Sequence, residues 1–403
     1  MTPAIASSSR QAAALIRSDD EALDVARSLA ESFAREAAQR DAQRIAPHEE
    51  LARFSASGLW GITVPREFGG AGVSSATLSE VVALISAADG SLGQIPQNHY
   101  YTLEVIRVQG TPAQKERLFQ RALRGDRFGN ALAERSSRTA SERTTRLVPD
   151  GDNAFRVTGE KFYATGALYA QWIPTAVVGP DDRTYLAFIA SDAQGVEVID
   201  DWSGFGQRGT ASGTVKFTNV LVAADDVLPA DAQRERTTIK AYAQLIHAAI
   251  DLGLARGAHD AASAFVATQS RPWIEANVER AAADPLTISE FGRLAVRLEA
   301  ADALVERASN LIDIARDDPQ PDKLGAAIIA VAEARTLTTE IALAASTKLF
   351  ELAGTRATAD ELNLDRYWRN ARVHTLHDPV RWKIAAVGDY YLNDRLPAQS
   401  GTT

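Results

Sequence analysis

The chain contains no cysteine, which excludes disulfides, thiolate nucleophiles and zinc–thiolate centres and permits a reducing compartment. It lacks any run of about 18 apolar residues, so no membrane-spanning helix is expected. The opening MTPAIASSSRQAAALIRSDDEA carries too short an apolar stretch for a secretory signal, so a cytoplasmic location is the expectation. Positive charge is in deficit: 43 Lys and Arg face 52 Asp and Glu, a formal net charge of −9. A nucleic-acid or anionic-membrane surface needs clustered basic charge, so neither partner is expected. A local cationic pocket for a phosphate is still compatible with that balance. No internal repeat is evident. The glycine-rich string GFGQRG at 204–209 has no βαβ pattern around it and is not a dinucleotide fingerprint.

What is present fits an ordinary globular protein: 45% apolar and 24% charged residues over 403 positions, enough chain for two or three modules. Residues 1–127 read as mostly helical. Ser18 or Asp19 can cap a helix running on through 22–42, Thr77 opens an apolar helix, and Thr111-Pro112 begins another with proline at its first position. Glycines and a proline at 65–72 break the pattern between them. Residues 128–232 are β-rich, with strand-like runs at 156–166, 184–190, 195–200 and 214–222; in the last, Val215 and Phe217 alternate with polar neighbours. Residues 233–403 return to helix. Leu294, Leu298, Ala301, Val305, Ala308, Ile312 and Ala315 follow the near-3.5 spacing of bundled helices, and an Ala-rich segment from Leu324 to Ala353 ends at Gly354. The fold class is α+β: a helical domain, a β domain and a C-terminal helical bundle.

The most distinctive chemistry lies in WRNARVHTLHDPVRWK at 368–383. His374 and His377 are three apart, a spacing that puts both imidazoles on one helical face, and Pro379 redirects the chain just beyond them. The plain alternative is a helix-end pair facing the C-terminal dipole. No metal site is expected, because no third ligand sits at matching spacing. Arg271, Arg369 and Arg372 are candidate phosphate holders, since a guanidinium grips phosphate at two points; solvated surface arginine is the alternative for each. Trp202, Phe205 and Trp273 are candidate walls of a ligand site or ordinary core aromatics. Gly204, Gly206 and Gly209 around Phe205 suggest a mobile loop or a plain turn.

Several strings, in order, resemble the acyl-CoA dehydrogenase superfamily: LWGITVPREFGGAGVS, GNALAE, GEKFYATGA and FGQRGTASGTVKFTNVLVAADDVLP. Others are similar to its flavin monooxygenase branch, the sulfur-acquisition oxidoreductases and dibenzothiophene monooxygenases: SLGQIPQNHYY, DDWSGFGQRGTASG, IHAAIDLGLARGA, SRPWIE, LFELAGTRAT and RNARVHTLHDPVRWK. The resemblance runs from about Ile16 to Leu392 and implies that the β domain is a central β-barrel and the C-terminal helices a four-helix bundle. It implies that the glutamate-bearing YEGT-like string of the dehydrogenases, whose carboxylate removes the substrate α-proton, has become His377-Asp378-Pro379-Val380. The aspartate is one methylene shorter than that glutamate, and a general base must reach its proton within about 3 Å.

The resemblance further implies a two-component enzyme. FMN would arrive as FMNH2 from a separate NAD(P)H-dependent flavin reductase, with FAD as the other possibility. Reaction with O2 would give a C4a-hydroperoxyflavin in a dry pocket, which oxygenates a small organosulfur compound for sulfur acquisition. Catalytic candidates are then His377, Thr165, Asn130, His99 and His374, with Asn130 and Thr165 also lining the flavin face and His377 moving a proton. Asn130 as a strand-end cap, Thr165 as a turn hydroxyl and His99 as a satisfied helix histidine are the structural alternatives. A homotetramer is the implied assembly. The string RSSRTASERTT at 135–145 is more basic than the family suggests and is a candidate determinant of substrate choice. A flavin-dependent N-hydroxylase or aromatic hydroxylase, an acyl-CoA dehydrogenase and a non-catalytic ligand-binding homologue stay open as alternatives.

Overall fold

A computed structural model describes residues 12–135, 143–230 and 237–397; most of the basic string at 135–145 lies outside the described residues. The N-terminal part is helical: α1 (Asp19–Ala34), α2 (Ala37–Gln43), α3 (His48–Ser57), α4 (Ser75–Ala88), α5 (Gly90–Gln94), α6 (Gln97–Gln109) and α7 (Pro112–Leu123). Side-chain caps start several of them. The Ser18 oxygen accepts from the Glu21 amide, the Ser74 oxygen accepts from the Thr77 amide, and Thr111 and Gln114 form a reciprocal capping box ahead of Pro112. The single helix predicted through 22–42 is broken at Glu36, where φ is −117° and ψ is 7°. The break turns Arg40 inward to ion-pair with Glu50 and Asp89. A buried guanidinium needs such partners, and helix periodicity cannot show where they stand.

The central part is one curled sheet of β1 (Arg146–Pro149), β2 (Ala154–Lys161), β3 (Trp172–Val178), β4 (Thr184–Ala190), β5 (Val196–Ile199), β6 (Thr214–Ala223) and β7 (Val227–Pro229). Their order is β5-β6-β2-β1-β3-β4-β7, so β5 and β7 are its edges. β6 shows how register and sequence interact. Val215 and Phe217 are buried, and so are Val220 and Val222, so the inward face switches from odd to even positions. The switch falls where the β2–β6 register shifts and Asn219 takes φ 54°. One extra residue in a strand flips the side chains that follow it. The sequence did not reveal β1, β3 and β7. β1 and β7 are short, and β3 is a nearly continuous buried run interrupted by Pro174.

The C-terminal part holds α8 (Thr238–Thr268), α9 (Pro285–Asp317), α10 (Pro321–Ala353), α11 (Asp365–His374) and α12 (Val380–Asn393). α10 packs against α8, α9 and α12 to make the bundle. The near-3.5 stripe on α9 is its buried face, with Leu294, Ala301, Val305, Ala308, Ile312 and Ala315 all in the core. α4 lies along α8 and ties the N-terminal helices to the bundle. The contact is close because Gly253 has no side chain: a Cβ there would stand 2.3 Å from the Ala83 carbonyl oxygen.

That contact makes a test. Gly253→Ala should lower stability by about 1–3 kcal/mol through overpacking against backbone, despite alanine's better helix propensity. Gly292→Ala on α9, where a Cβ meets nothing within 4 Å, should raise it by up to about 1 kcal/mol. Urea midpoints of the two variants decide it, and equal shifts would contradict the close packing of α4 on α8.

Candidate active site

The candidate residues lie along the seam where the β-sheet domain meets α5, α6 and α11, with α8 packed behind α5 and α11. On the sheet side, Asn130 follows α7 in a segment whose backbone runs beside β3; Gly129 N–H donates to Trp172 O and Ala131 N–H to Pro174 O. The Asn130 Oδ1 accepts from the Leu132 amide at 3.0 Å, a side-chain turn that holds the amide in place. Its Nδ2 has no hydrogen-bond partner among the described residues. Thr165, two residues after the left-handed Tyr163 (φ 57°), is 2.8 Å from the Ser212 hydroxyl. Ser212 is 2.7 Å from Thr210, which donates to the Gln207 carbonyl at 2.9 Å. Each hydroxyl has one proton. With Thr210's given to the carbonyl, Ser212 donates to Thr210 and Thr165 donates to Ser212. The Thr165 oxygen is left with lone pairs.

The loop carrying these hydroxyls is strained and pressed onto α11. Gln207 (φ 49°) and Ala211 (φ 46°) sit in the left-handed region, a cost of order 1 kcal/mol each that neighbouring contacts must hold. The Gln207 amide donates to Asn370 Oδ1 at 2.6 Å. Gly206 permits that approach, since a Cβ there would stand 2.1 Å from the Arg369 carbonyl oxygen. Instead of a mobile loop, the glycines give a clamped one. Trp202 donates back to Gln207 O within it, Phe205 stacks on Trp368, and Trp273 is largely exposed elsewhere.

Asn370 leads, one turn later on the same helix, to a histidine cluster. α11 ends at His374, and a turn brings the His377 amide to the His374 carbonyl at 3.0 Å. Both rings meet a third, His247 on α8. His374 Nε2 is 3.0 Å from His247 Nδ1, and the His377 ring lies 3.9 Å from the His247 ring, centroid to centroid. The pair is unequal: the His374 side chain is 1% exposed and that of His377 46%. Asp251, one turn along α8, accepts from His374 Nδ1 at 2.5 Å and also holds Arg335 and Thr339. Burial pushes both His247 and His374 below the usual histidine range, and for His374 it outweighs the nearby Asp251.

Asp378 is the residue that the resemblance sets against the dehydrogenase base. It is buried, 2.9 Å from Lys383 Nζ and 3.4 Å from Arg335, and 3.4 Å from His377 Nδ1. Burial pushes its carboxyl up, but His377, Arg335 and Lys383 together hold it well below the usual range. A carboxylate locked in ion pairs is a poor proton acceptor, a stronger obstacle to dehydrogenation than its shorter side chain.

The structure separates the other candidates. His99, fully buried on α6, has both ring nitrogens occupied by backbone: Nδ1 accepts from the Phe128 amide at 3.1 Å and Nε2–H donates to Trp60 O at 2.8 Å. It is a neutral cross-link between α6, the turn at Trp60 and the start of the sheet domain, with no nitrogen left for a ligand. Burial lowers it to about 3. Arg369 spends every N–H on Asp41, Asp365, Asn363 and the Phe205 carbonyl, so the expectation that it holds phosphate is corrected. Arg372 is half-buried and Arg271 exposed; neither side chain has a hydrogen-bond partner among the described residues. His247, Asp251 and Arg335 escaped the sequence reading, although a histidine and an aspartate at i, i+4 inside the Ala-rich IHAAIDLGL signal a polar patch on a buried helix. Among the described residues no group of His, Asp or Glu is arranged to hold a metal.

The acyl-CoA dehydrogenase N-terminal domain family matches residues 18–126 and the C-terminal domain family residues 245–382. The chain is 36% identical to a dibenzothiophene monooxygenase of Rhodococcus erythropolis, over 96% of both proteins. The chain belongs to the acyl-CoA dehydrogenase superfamily, in its flavin monooxygenase branch. It is also 32% identical to the probable FMNH2-dependent monooxygenase SfnC of Pseudomonas putida, covering 94% of this chain and 96% of that one. The FMN-bound structure of TdsC from Paenibacillus sp. A11-2 superposes with a TM-score of 0.90 at 32% identity, covering 95% of this chain and all of that one.

The buried histidines predict how stability depends on pH. Below about 6.5 the unfolded chain binds protons on His99, His247 and His374 that the folded chain refuses. Stability is therefore full above that value and lost as pH falls, for His99 down to about 3. Urea midpoints between pH 7.5 and 5 should decline, and His99→Gln should flatten the slope by one proton, about 1.4 kcal/mol per pH unit. An unchanged slope would show that His99 is protonated in the folded chain.

Proposed function

We propose that this protein is an FMNH2-dependent monooxygenase that inserts one oxygen atom of O2 into a small organosulfur compound, serving sulfur acquisition. The observation that carries the reading is the ion-paired Asp378: the fold keeps the dehydrogenase loop, but its carboxylate is no longer a free base. Its neighbour His377 is half-exposed, and its Nε2 has no hydrogen-bond partner among the described residues. The flavin-monooxygenase names of the relatives support the same reading.

The residues on the sheet side fit a flavin. Asn130 offers an unused amide NH2 and Thr165 an unused hydroxyl acceptor, an uncharged pair suited to a ring bearing both N–H and C=O groups. Reduced FMN, when bound, supplies the electrons that activate O2. Asn130 and Thr165 orient it, Arg271 and Arg372 hold its phosphate, and His377 gives or takes the proton of the oxygen transfer. FMN is the cofactor in this reading. The sheet contains no βαβ unit among the described residues, which favours a separate NAD(P)H-dependent flavin reductase as its supplier. Exposed Trp273, Ile274, Leu286, Trp382 and Leu392 support a homotetramer built through the helical bundle. No helix among the described residues is long and apolar enough to cross a membrane, and a cytoplasmic site of action is part of the proposal.

The test supplies FMNH2 from a reductase and NADH under 18O2, with dimethyl sulfone and dibenzothiophene as substrates. One labelled oxygen per product is expected. His377→Ala should lower kcat by about 10²–10⁴, with consumed FMNH2 diverted to hydrogen peroxide, and Thr165→Ala should weaken FMN binding. Unlabelled product, or oxidation of an acyl-CoA by the flavin-loaded protein, would overturn the reading.

A further inference from the structure

The histidine cluster contains more than the site uses, and its hydrogen bonds have a direction. Asp251 accepts from His374 Nδ1 at 2.5 Å, and His374 Nε2 faces His247 Nδ1 at 3.0 Å. Two ring nitrogens at that distance share one proton. The Asp251 carboxylate already accepts from Arg335 and Thr339 and has no proton of its own to give, so His374 Nδ1 carries one. The remaining question is whether His374 is neutral, with a bare Nε2, or a cation.

Charge balance answers it. The charged groups packed around the three rings are Asp251 from α8, Arg335 from α10, Asp378 from the turn after α11 and Lys383 from α12. Two carboxylates and two cations cancel. An imidazolium on His374 or His247 would leave an unbalanced charge in a buried space, which is costly. With His374 neutral, His247 must donate through Nδ1, and its Nε2 is bare. No hydrogen-bond partner meets that Nε2 among the described residues. The chain runs one way: carboxylate, His374, His247.

We propose that Asp251, His374 and His247 form a buried relay of positioning residues that fixes His247 as a neutral Nδ1–H ring behind His377. His377 is then the only member of the cluster free to bind and release a proton at the site. The His247 ring lies 3.9 Å from that of His377 at 39° and gives it a fixed, uncharged backing. Were His247 protonated, its charge would oppose protonation of His377. This inference rests on the proposed oxygen-transfer role of His377, but the relay itself can be read without turnover.

Diethyl pyrocarbonate acylates neutral, accessible imidazole, so peptide mass spectrometry of the full chain gives the reaction rate at His377 against pH. His374→Leu removes the link without changing the charge count. It is expected to change the His377 rate at least threefold at fixed pH and move its pH midpoint by half a unit or more. His374→Gln returns an acceptor to His247 Nδ1 and should restore the rate towards wild type. With FMNH2 and substrate, His374→Leu should lower kcat tenfold or more with KM little changed, and raise the share of FMNH2 lost to peroxide. If His374→Leu does not fold, His247→Phe replaces it; it keeps a ring behind His377 but breaks the relay, and the same shift is expected. Identical His377 profiles in folded variants and wild type would overturn the relay. A shifted profile in a protein that oxygenates no sulfur compound would uphold the relay and sink the functional reading instead.

Discussion

The carboxylate of Asp251 is the point on which the C-terminal half of the site depends. It is fully buried on α8, and it gathers Arg335 and Thr339 from α10 and His374 from α11. Arg335 in turn reaches Asp378, which holds Lys383 of α12. Four helices and one turn are therefore positioned by a connected set of charges with no net sum. A buried set of this kind is weak evidence for stability, because desolvation offsets much of the attraction. What it supplies is geometry: each member has one orientation in which its partners are satisfied, and removing any one strands the others.

The same set explains how one fold hosts two chemistries. The loop after α11 delivers a side chain to one place in the seam, and the environment decides what that side chain does. A carboxylate left in an apolar pocket has a raised pKa and serves as a base. Asp378 has Lys383 and Arg335 instead, so its carboxyl is held below the usual range and anchors the loop. What a carboxylate can do at this place is a matter of its neighbours as much as of its length.

The architecture was legible because it rests on short-range physics. Capping at Ser18 and Thr111, the 3.5-residue stripe on α9 and the glycine after Ala353 are local signals, and all read correctly. The break at Glu36, the register switch at Asn219 and the strand β3 were not legible, because each answers a contact distant in sequence. The site divides in the same way. The three-residue spacing suggested one shared cavity for His374 and His377, but it could not show that His374 is buried while His377 is half-exposed, or that His247 stands between them. They marked His99 and Arg369 as polar groups in promising places, yet only the fold shows every nitrogen of both already engaged.

The hydroxyl ladder of Thr210, Ser212 and Thr165 carries one more consequence. Its single direction is imposed by the Gln207 carbonyl, whose own position is set by a backbone pinned to Asn370. A carbonyl two hydroxyls removed from Thr165 thus determines what its oxygen offers. Two molecules of identical outline, differing by one hydrogen on one nitrogen, would meet it differently. An N–H would find a lone pair, and a bare nitrogen would face lone pair against lone pair. Shape cannot sort such a pair; the polarity of a hydroxyl can.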